Sequence, residues 1–111
     1  MKSWLVCLSL IFCAEAFSAS IWTNASDGFW SVDTNWAGGA PINNATARIT
    51  NANSKVVIID AATPATNLNL GSLQLWGPAN TTNTLLLTNA GSSNPLLIAN
   101  SLTMLRGGAM V

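Results

Sequence analysis

Short segments in which apolar and polar residues alternate run along this chain from residue 46 to residue 105. Each segment is four or five residues long and rich in Leu, Ile, Val or Thr, and none has the 3.6-residue spacing of an amphipathic helix. Between the segments stand Asn, Gly, Ser and Pro, which form turns. The pattern therefore predicts an all-β fold. The segments are residues 46–50, 55–59, 67–70, 72–76, 84–88, 95–98 and 101–105.

Two all-β architectures fit short strands at this spacing, a parallel β-solenoid and an antiparallel β-sandwich. Residues 72–77 recur loosely as residues 101–107, as expected when successive turns of a solenoid stack. Asn and Gly at the turns accept left-handed backbone angles, and Asn side chains can form ladders between stacked turns. We therefore predict β-solenoid rungs over residues 45–111, with the antiparallel sandwich as the alternative.

The first twenty residues have the features of a secretion signal. Lys2 supplies the positive start, residues 4–13 form an apolar run, and residues 14–16 (Ala-Glu-Ala) fit a cleavage site, which we place near residues 16–20. The apolar run is too short to cross a bilayer, which takes about 20 residues. We expect a secreted or cell-surface protein whose mature chain has no transmembrane segment.

Without that signal the chain has no Cys, His, Glu or Tyr, and its few charges balance. A neutral chain lacks the basic patch that binds nucleic acid, so we expect no nucleic-acid partner. Zinc and redox metals lack their usual ligands, and no acidic loop of the calcium-binding type is present. The six ionisable side chains are Asp27, Asp33, Asp60, Arg48, Lys55 and Arg106.

Catalysis would depend on the three aspartates and on solvated cations, because no stronger general base is present. We therefore predict no catalytic residues, no cofactor and no metal site, and we do not expect an enzyme. Asp27 is predicted to lie in a turn with Gly28, while Asp33 and Asn35 are predicted to make local Asx-type hydrogen bonds.

Three tryptophans, Trp22, Trp30 and Trp36, are concentrated in the first part of the mature chain. Bulky apolar residues are needed to close the end of a core, so we expect these indoles to be buried. The alternative is a carbohydrate-binding platform on which the indole faces stack against sugar rings. Neighbouring amides would then bind sugar hydroxyls; the candidates are Asn24, Asn35, Asn43 and Asn44.

The order of motifs carries a family resemblance. The motifs are Ile-Trp-Thr-Asn at 21–24, Gly-Phe-Trp at 28–30, Asp-Thr-Asn-Trp-Ala-Gly-Gly-Ala-Pro at 33–41, Ala-Arg-Ile-Thr-Asn at 47–51 and Asn-Leu-Asn-Leu-Gly-Ser-Leu-Gln-Leu at 67–75. This order resembles the N-terminal segment of large bacterial exported proteins with autotransporter-type β-strand repeats, which are often sorted by a PEP-CTERM-type signal. The resemblance implies a Trp-rich cap over residues 21–44 on a right-handed parallel β-helix.

The end of the sequence resembles the start of another strand, over residues 109–111, with no polar cap after it. We therefore expect the chain to continue into a larger polypeptide. The functional expectation is a structural or adhesin-like segment at the cell surface, with a polysaccharide or other surface proteins as partners. The alternative is a carbohydrate-binding module.

Overall fold

The structure is a computed structural model, and it describes residues 19–89, 91 and 95–111. In this part of the chain the regular elements are nine strands and two single-turn 3-10 helices, at Asp33–Asn35 and Ala65–Asn67. The predicted secretion signal lies outside the described residues, except for its last two residues. The strands are β1 (Ala19–Trp22), β2 (Gly28–Phe29), β3 (Trp36–Ala37), β4 (Ala45–Ile49), β5 (Lys55–Ile59), β6 (Asn69–Leu75), β7 (Asn83–Leu87), β8 (Leu97–Met104) and β9 (Gly108–Met110).

The strands form two sheets, and from β4 onward the chain alternates between them. Sheet 1 has the order β3-β1-β4-β6-β8, and sheet 2 has the order β2-β5-β7-β9. Every neighbouring pair is parallel except β1 and β3. This topology confirms the predicted parallel β-solenoid. The antiparallel sandwich is wrong, because successive strands do not pair with each other but with the strands one full turn away.

The loose sequence repeat corresponds to real stacking. Ser72 pairs with Ser101 and Leu73 with Leu102, so the two copies of the motif lie side by side as β6 and β8. The polar side chains of the repeat also meet, since Ser101 Oγ donates a hydrogen bond to Ser72 Oγ at 3.0 Å. The 29-residue spacing is thus one turn of the solenoid at this position.

A second periodicity lies in the turns that lead from sheet 1 to sheet 2. Asn53, Asn80 and Gly107 all have positive φ angles, of 74°, 63° and 85°, and they recur every 27 residues. Each stands just before β5, β7 or β9. Left-handed backbone is costly for most residues and is tolerated by Gly and Asn. The prediction that Asn and Gly occupy such corners is confirmed.

The core consists of columns of inward-facing side chains that run from turn to turn. In sheet 1, Ala47 stacks on Leu73 and Ile49 on Leu75, while in sheet 2 Val57 lies beside Leu85. All six are fully buried; their burial follows from the alternation along β4, β5, β6 and β7. Burial of these stacked side chains is the main source of stability in a fold of this kind.

The Trp-rich block is both the first turn of the solenoid and its cap. β1 and β2 pair in parallel with β4 and β5, whereas β3 turns back and covers the outer edge of β1. β1 begins at Ala19, so a signal cleavage after Ala16 or Ser18 would leave it whole. Both helices in the described residues are single 3-10 turns, and neither has the length or apolar character needed to cross a membrane.

Candidate functional site

The three predicted tryptophans come together in the core at the N-terminal end, and we call them the Trp cluster. The exposed fractions of Trp22, Trp30 and Trp36 are 0%, 0% and 4%. Trp36 lies between the other two, with ring centroids 5.1 Å from Trp22 and 5.0 Å from Trp30, both edge to face. This is a favourable arrangement for aromatic pairs.

Each indole N–H of the Trp cluster donates to a backbone carbonyl. Trp22 Nε1 binds Asn24 O at 2.7 Å, and Trp36 Nε1 binds Trp30 O at 2.8 Å. Trp30 Nε1 reaches across to Asn67 O at 2.7 Å, in the segment before β6. The cluster thus has its polar groups satisfied and ties the first turn of the solenoid to the second. A sugar ring could stack on these indole faces only after the cap opened.

The amides proposed as sugar ligands divide into two locations. Asn24 and Asn35 meet near the Trp cluster, where Asn24 Nδ2 donates to Asn35 Oδ1 at 3.0 Å. Asn35 Nδ2 donates in turn to Phe29 O, so Asn35 makes no local Asx-type bond and that prediction is wrong. Asn43 and Asn44 lie exposed in the turn before β4. The four amides therefore do not converge on the indoles as one site.

The aspartates are separate, and each accepts a hydrogen bond from a backbone N–H. Asp27 Oδ1 accepts from the Val56 N–H at 2.6 Å, and Asp33 Oδ1 accepts from the Ala40 N–H at 2.9 Å. Asp33 bridges seven residues, so its predicted Asx-type bond is also wrong. Asp60 makes such a bond, because its Oδ1 accepts from the Ala62 N–H at 3.0 Å. These carboxylates hold loops in place.

The most unusual polar group is Lys55, which lies in the core and not in solvent. Its side chain is only 2% exposed, and Asn83, its in-register partner on β7, is fully buried. Lys55 Nζ donates to Asn83 Oδ1 at 2.7 Å, to Asn51 Oδ1 at 3.0 Å and to Asn51 O at 3.1 Å. We call Asn51, Lys55 and Asn83 the polar corner.

The amide of Asn83 is held as firmly as the ammonium. Asn83 Nδ2 donates to Asn51 O at 3.0 Å and to Trp76 O at 2.8 Å, so both of its hydrogens are used. Burial lowers the pKa of the Lys55 ammonium, and the negative charge of Asp27 offsets part of that effect. The three oxygens around Nζ are all neutral, so hydrogen bonds rather than an ion pair compensate the buried charge.

The two ends of the solenoid differ. β8 and β9 are the last strands of the two sheets among the described residues, and no further strand covers their outer edges. Leu102 and Met104 continue the inward columns of Leu73 and Leu75, yet they are 48% and 39% exposed where the earlier pair is fully buried. We call β8 and β9 the open end. It presents apolar side chains and free backbone groups together.

Neither a pocket nor a group of three or more His, Cys, Asp or Glu side chains is found within the described ranges. The polar corner is the feature that sequence reasoning missed. The sequence did contain a signal for it: a lysine at the start of a β-branched strand is followed, 28 residues later, by an asparagine at the equivalent place in the next turn.

Comparisons with protein-family models, with curated proteins and with solved structures give no match to this chain. The functional argument for this chain therefore rests on its own sequence and geometry.

Proposed function

We propose that this chain is a structural segment of a secreted or cell-surface β-solenoid and that it has no catalysis of its own. The observation that carries the proposal is the closed N-terminal end, where the Trp cluster and β3 seal a core that then runs unbroken through the stacked turns. A capped start followed by stacked turns suits a rigid scaffold, because each turn is then covered by its neighbour.

The chemistry of the exterior suits such a role. Asn, Thr, Ser and Gly supply most of the polar surface, and few charges interrupt it. A surface of this kind can contact polysaccharides or other surface proteins through many weak hydrogen bonds, which gives an adhesin-like character without a concave site. Family membership among exported proteins with autotransporter-type repeats, sorted by a PEP-CTERM-type signal, belongs to the same proposal and rests on sequence resemblance.

The decisive experiment is to fractionate cells that naturally make the protein and to measure its intact mass in the extracellular and surface fractions. The proposal expects the protein in these fractions with the N-terminal signal removed. A mass well above that of this chain would support the expected continuation into a larger polypeptide. A variant that lacks residues 1–16 is the control and should stay inside the cell. Retention of the unaltered protein in the cytosol would contradict the proposal.

Carbohydrate binding is the alternative proposal, and the burial of Trp22, Trp30 and Trp36 weighs against these indoles as its platform. Tryptophan fluorescence during titration with soluble glycans tests it directly. The scaffold proposal expects no saturable change while the protein stays folded. A saturable change that a folded Trp→Phe variant abolishes would favour the carbohydrate-binding module instead.

A further inference from the structure

The polar corner brings an amine and a carboxamide into contact inside the core. Lys55 and Asn83 are in-register neighbours on β5 and β7, and both side chains are more than nine-tenths buried. We propose that they form a site of covalent self-modification, in which Lys55 Nζ condenses with Asn83 Cγ to give an isopeptide bond and release ammonia. This inference goes beyond the proposed scaffold function and does not depend on it.

The two groups that would react are already in contact. Lys55 Nζ lies 2.7 Å from Asn83 Oδ1. Since a C=O bond is about 1.23 Å long, Nζ is within about 3.9 Å of Cγ, the carbon to be attacked. Two groups held this closely by neighbouring strands react as if at very high concentration, provided that they can align. The proposed step requires Nζ to move from the oxygen toward the carbon.

The surroundings favour aminolysis over hydrolysis. Asn83 is fully buried, so bulk water does not reach its amide. The lysine nitrogen is the nucleophile that the fold places against this carbonyl. The lowered pKa of Lys55 supports the same step, because burial increases the fraction of the reactive neutral amine.

The reaction balances without any oxidant or cofactor. The Lys55 ammonium first loses one proton to solvent to give the neutral amine, and the ammonia released at the end takes up a proton from solvent in return. The Nζ–Cγ bond then forms and the Cγ–Nδ2 bond breaks, while a second proton moves from Nζ to Nδ2. The departing group is ammonia, and the product is a secondary amide that joins the two side chains. Asn51 O and Trp76 O, which now accept hydrogen bonds from Nδ2, lie where the departing ammonia forms.

A bond at this place would link two successive turns of the solenoid. The sequence after the predicted signal contains no Cys, so a disulfide cannot do this. The isopeptide would close a loop from residue 55 to residue 83 and reduce the conformational freedom of the unfolded chain. It would resist reducing agents, which is an advantage for a scaffold exposed outside the cell.

The test is the intact mass of the purified, folded protein, compared with the mass calculated from its experimentally determined N-terminus. The expected result is a deficit of one ammonia, together with a proteolytic fragment in which Lys55 and Asn83 are joined. A folded protein at its full calculated mass would overturn the proposal and leave Lys55 as a hydrogen-bonded core cation. This measurement does not depend on where the protein is located. The isopeptide proposal can therefore fail while the scaffold proposal stands, and the reverse is also true.

A control is needed because an asparagine can also lose ammonia by forming a succinimide with its own backbone. Lys55→Arg keeps the positive charge and cannot form the bond, so it should restore the full mass. Loss of ammonia that persists in Lys55→Arg would overturn the proposal. Asn83→Asp provides a second readout by mass. Condensation of Lys55 with an aspartate releases water instead of ammonia, so the cross-linked fraction of this variant should have a mass lower by one water molecule.

Discussion

The two ends of the described solenoid differ in how their outer edges are covered. At the N-terminal end, β3 covers the edge of β1 in antiparallel pairing and the Trp cluster fills the space between the sheets. At the open end, the inward columns simply stop at Leu102 and Met104, which stay partly exposed. Thus the repeated turns extend the core, whereas the residues that cover it at the N-terminal end depart from the repeat.

Closure at the N-terminal end also depends on long-range hydrogen bonds. Trp30 Nε1 donates to Asn67 O, and Asn67 Nδ2 donates to Pro41 O at 2.6 Å, so the second turn of the solenoid holds the cap. The open end is also bonded to the preceding turn of the solenoid, for example by the Leu105 N–H, just after β8, which donates to Leu75 O in β6 at 3.2 Å. We therefore expect the N-terminal end to unfold only with the core, and the open end to loosen before it.

The largest expected effect is at the Trp cluster. Trp30→Ala removes a fully buried ring and its bond to Asn67 O, so the free energy of unfolding should fall by about 3–5 kcal/mol. Leu105→Ala, in the connection between the two strands of the open end, is the control; this residue is 57% exposed, so the change should be about 0.5 kcal/mol or less. Urea denaturation measures both. Similar losses of unfolding free energy in the two variants would contradict the difference between the two ends.

Two leucines of one column allow a finer test. Leu73 and Leu102 are in-register neighbours, but only Leu73 is fully buried. Leu73→Ala should therefore cost about 2–5 kcal/mol of unfolding free energy. Leu102→Ala should cost about 1 kcal/mol, because only part of its surface is removed from water. Thermal and urea unfolding of both variants would check this, and an equal cost would mean that something covers the open end.

An intermediate effect is expected at the asparagine that holds the cap. Asn67→Ala deletes the buried bond to Pro41 O and should lower the free energy of unfolding by about 1–3 kcal/mol. Asn69→Ala is the matched control two residues on, where the side chain is exposed and its bond to Asn43 Oδ1 is long, at 3.4 Å. Stability should hardly change there. If the two variants behave alike in equilibrium unfolding, Asn67 does not hold the cap.

The smallest expected effect is at the corners that repeat every 27 residues. Asn80 has a φ of 63°, so Asn80→Ala should cost about 1 kcal/mol, while Asn80→Gly should be nearly neutral. The same pair of changes at Asn53, one turn nearer the cap, should give matching values because the turn geometry is local. Calorimetric unfolding of the four variants tests this. A clear difference between the two corners would show that the ends influence even the turns.

Local sequence patterns were sufficient to predict the fold class. Alternation along segments such as residues 46–50 and 72–76, with Asn and Gly between them, already implied strands joined by corners, since side-chain direction in a strand follows from the backbone alone. The burial that we expected for the tryptophans also follows from local information, because a large apolar ring near the start of a core has few other favourable positions. Local information was not sufficient for Asp33 and Asn35. Each side chain bonds to a backbone group six or seven residues away and not to one of its immediate neighbours.

The sequence by itself determined that this chain forms short strands with Asn and Gly corners and a Trp-rich beginning, whereas the parallel pairing of those strands was decided by the tertiary structure. Only the tertiary structure decided that Lys55 lies inside the core against Asn83, and that the indoles meet edge to face. The physical reason is register. Alternation fixes which face of a strand a residue occupies. The length of each connecting loop fixes which residue of the next solenoid turn lies beside it, and this register becomes visible only when the solenoid turns stack.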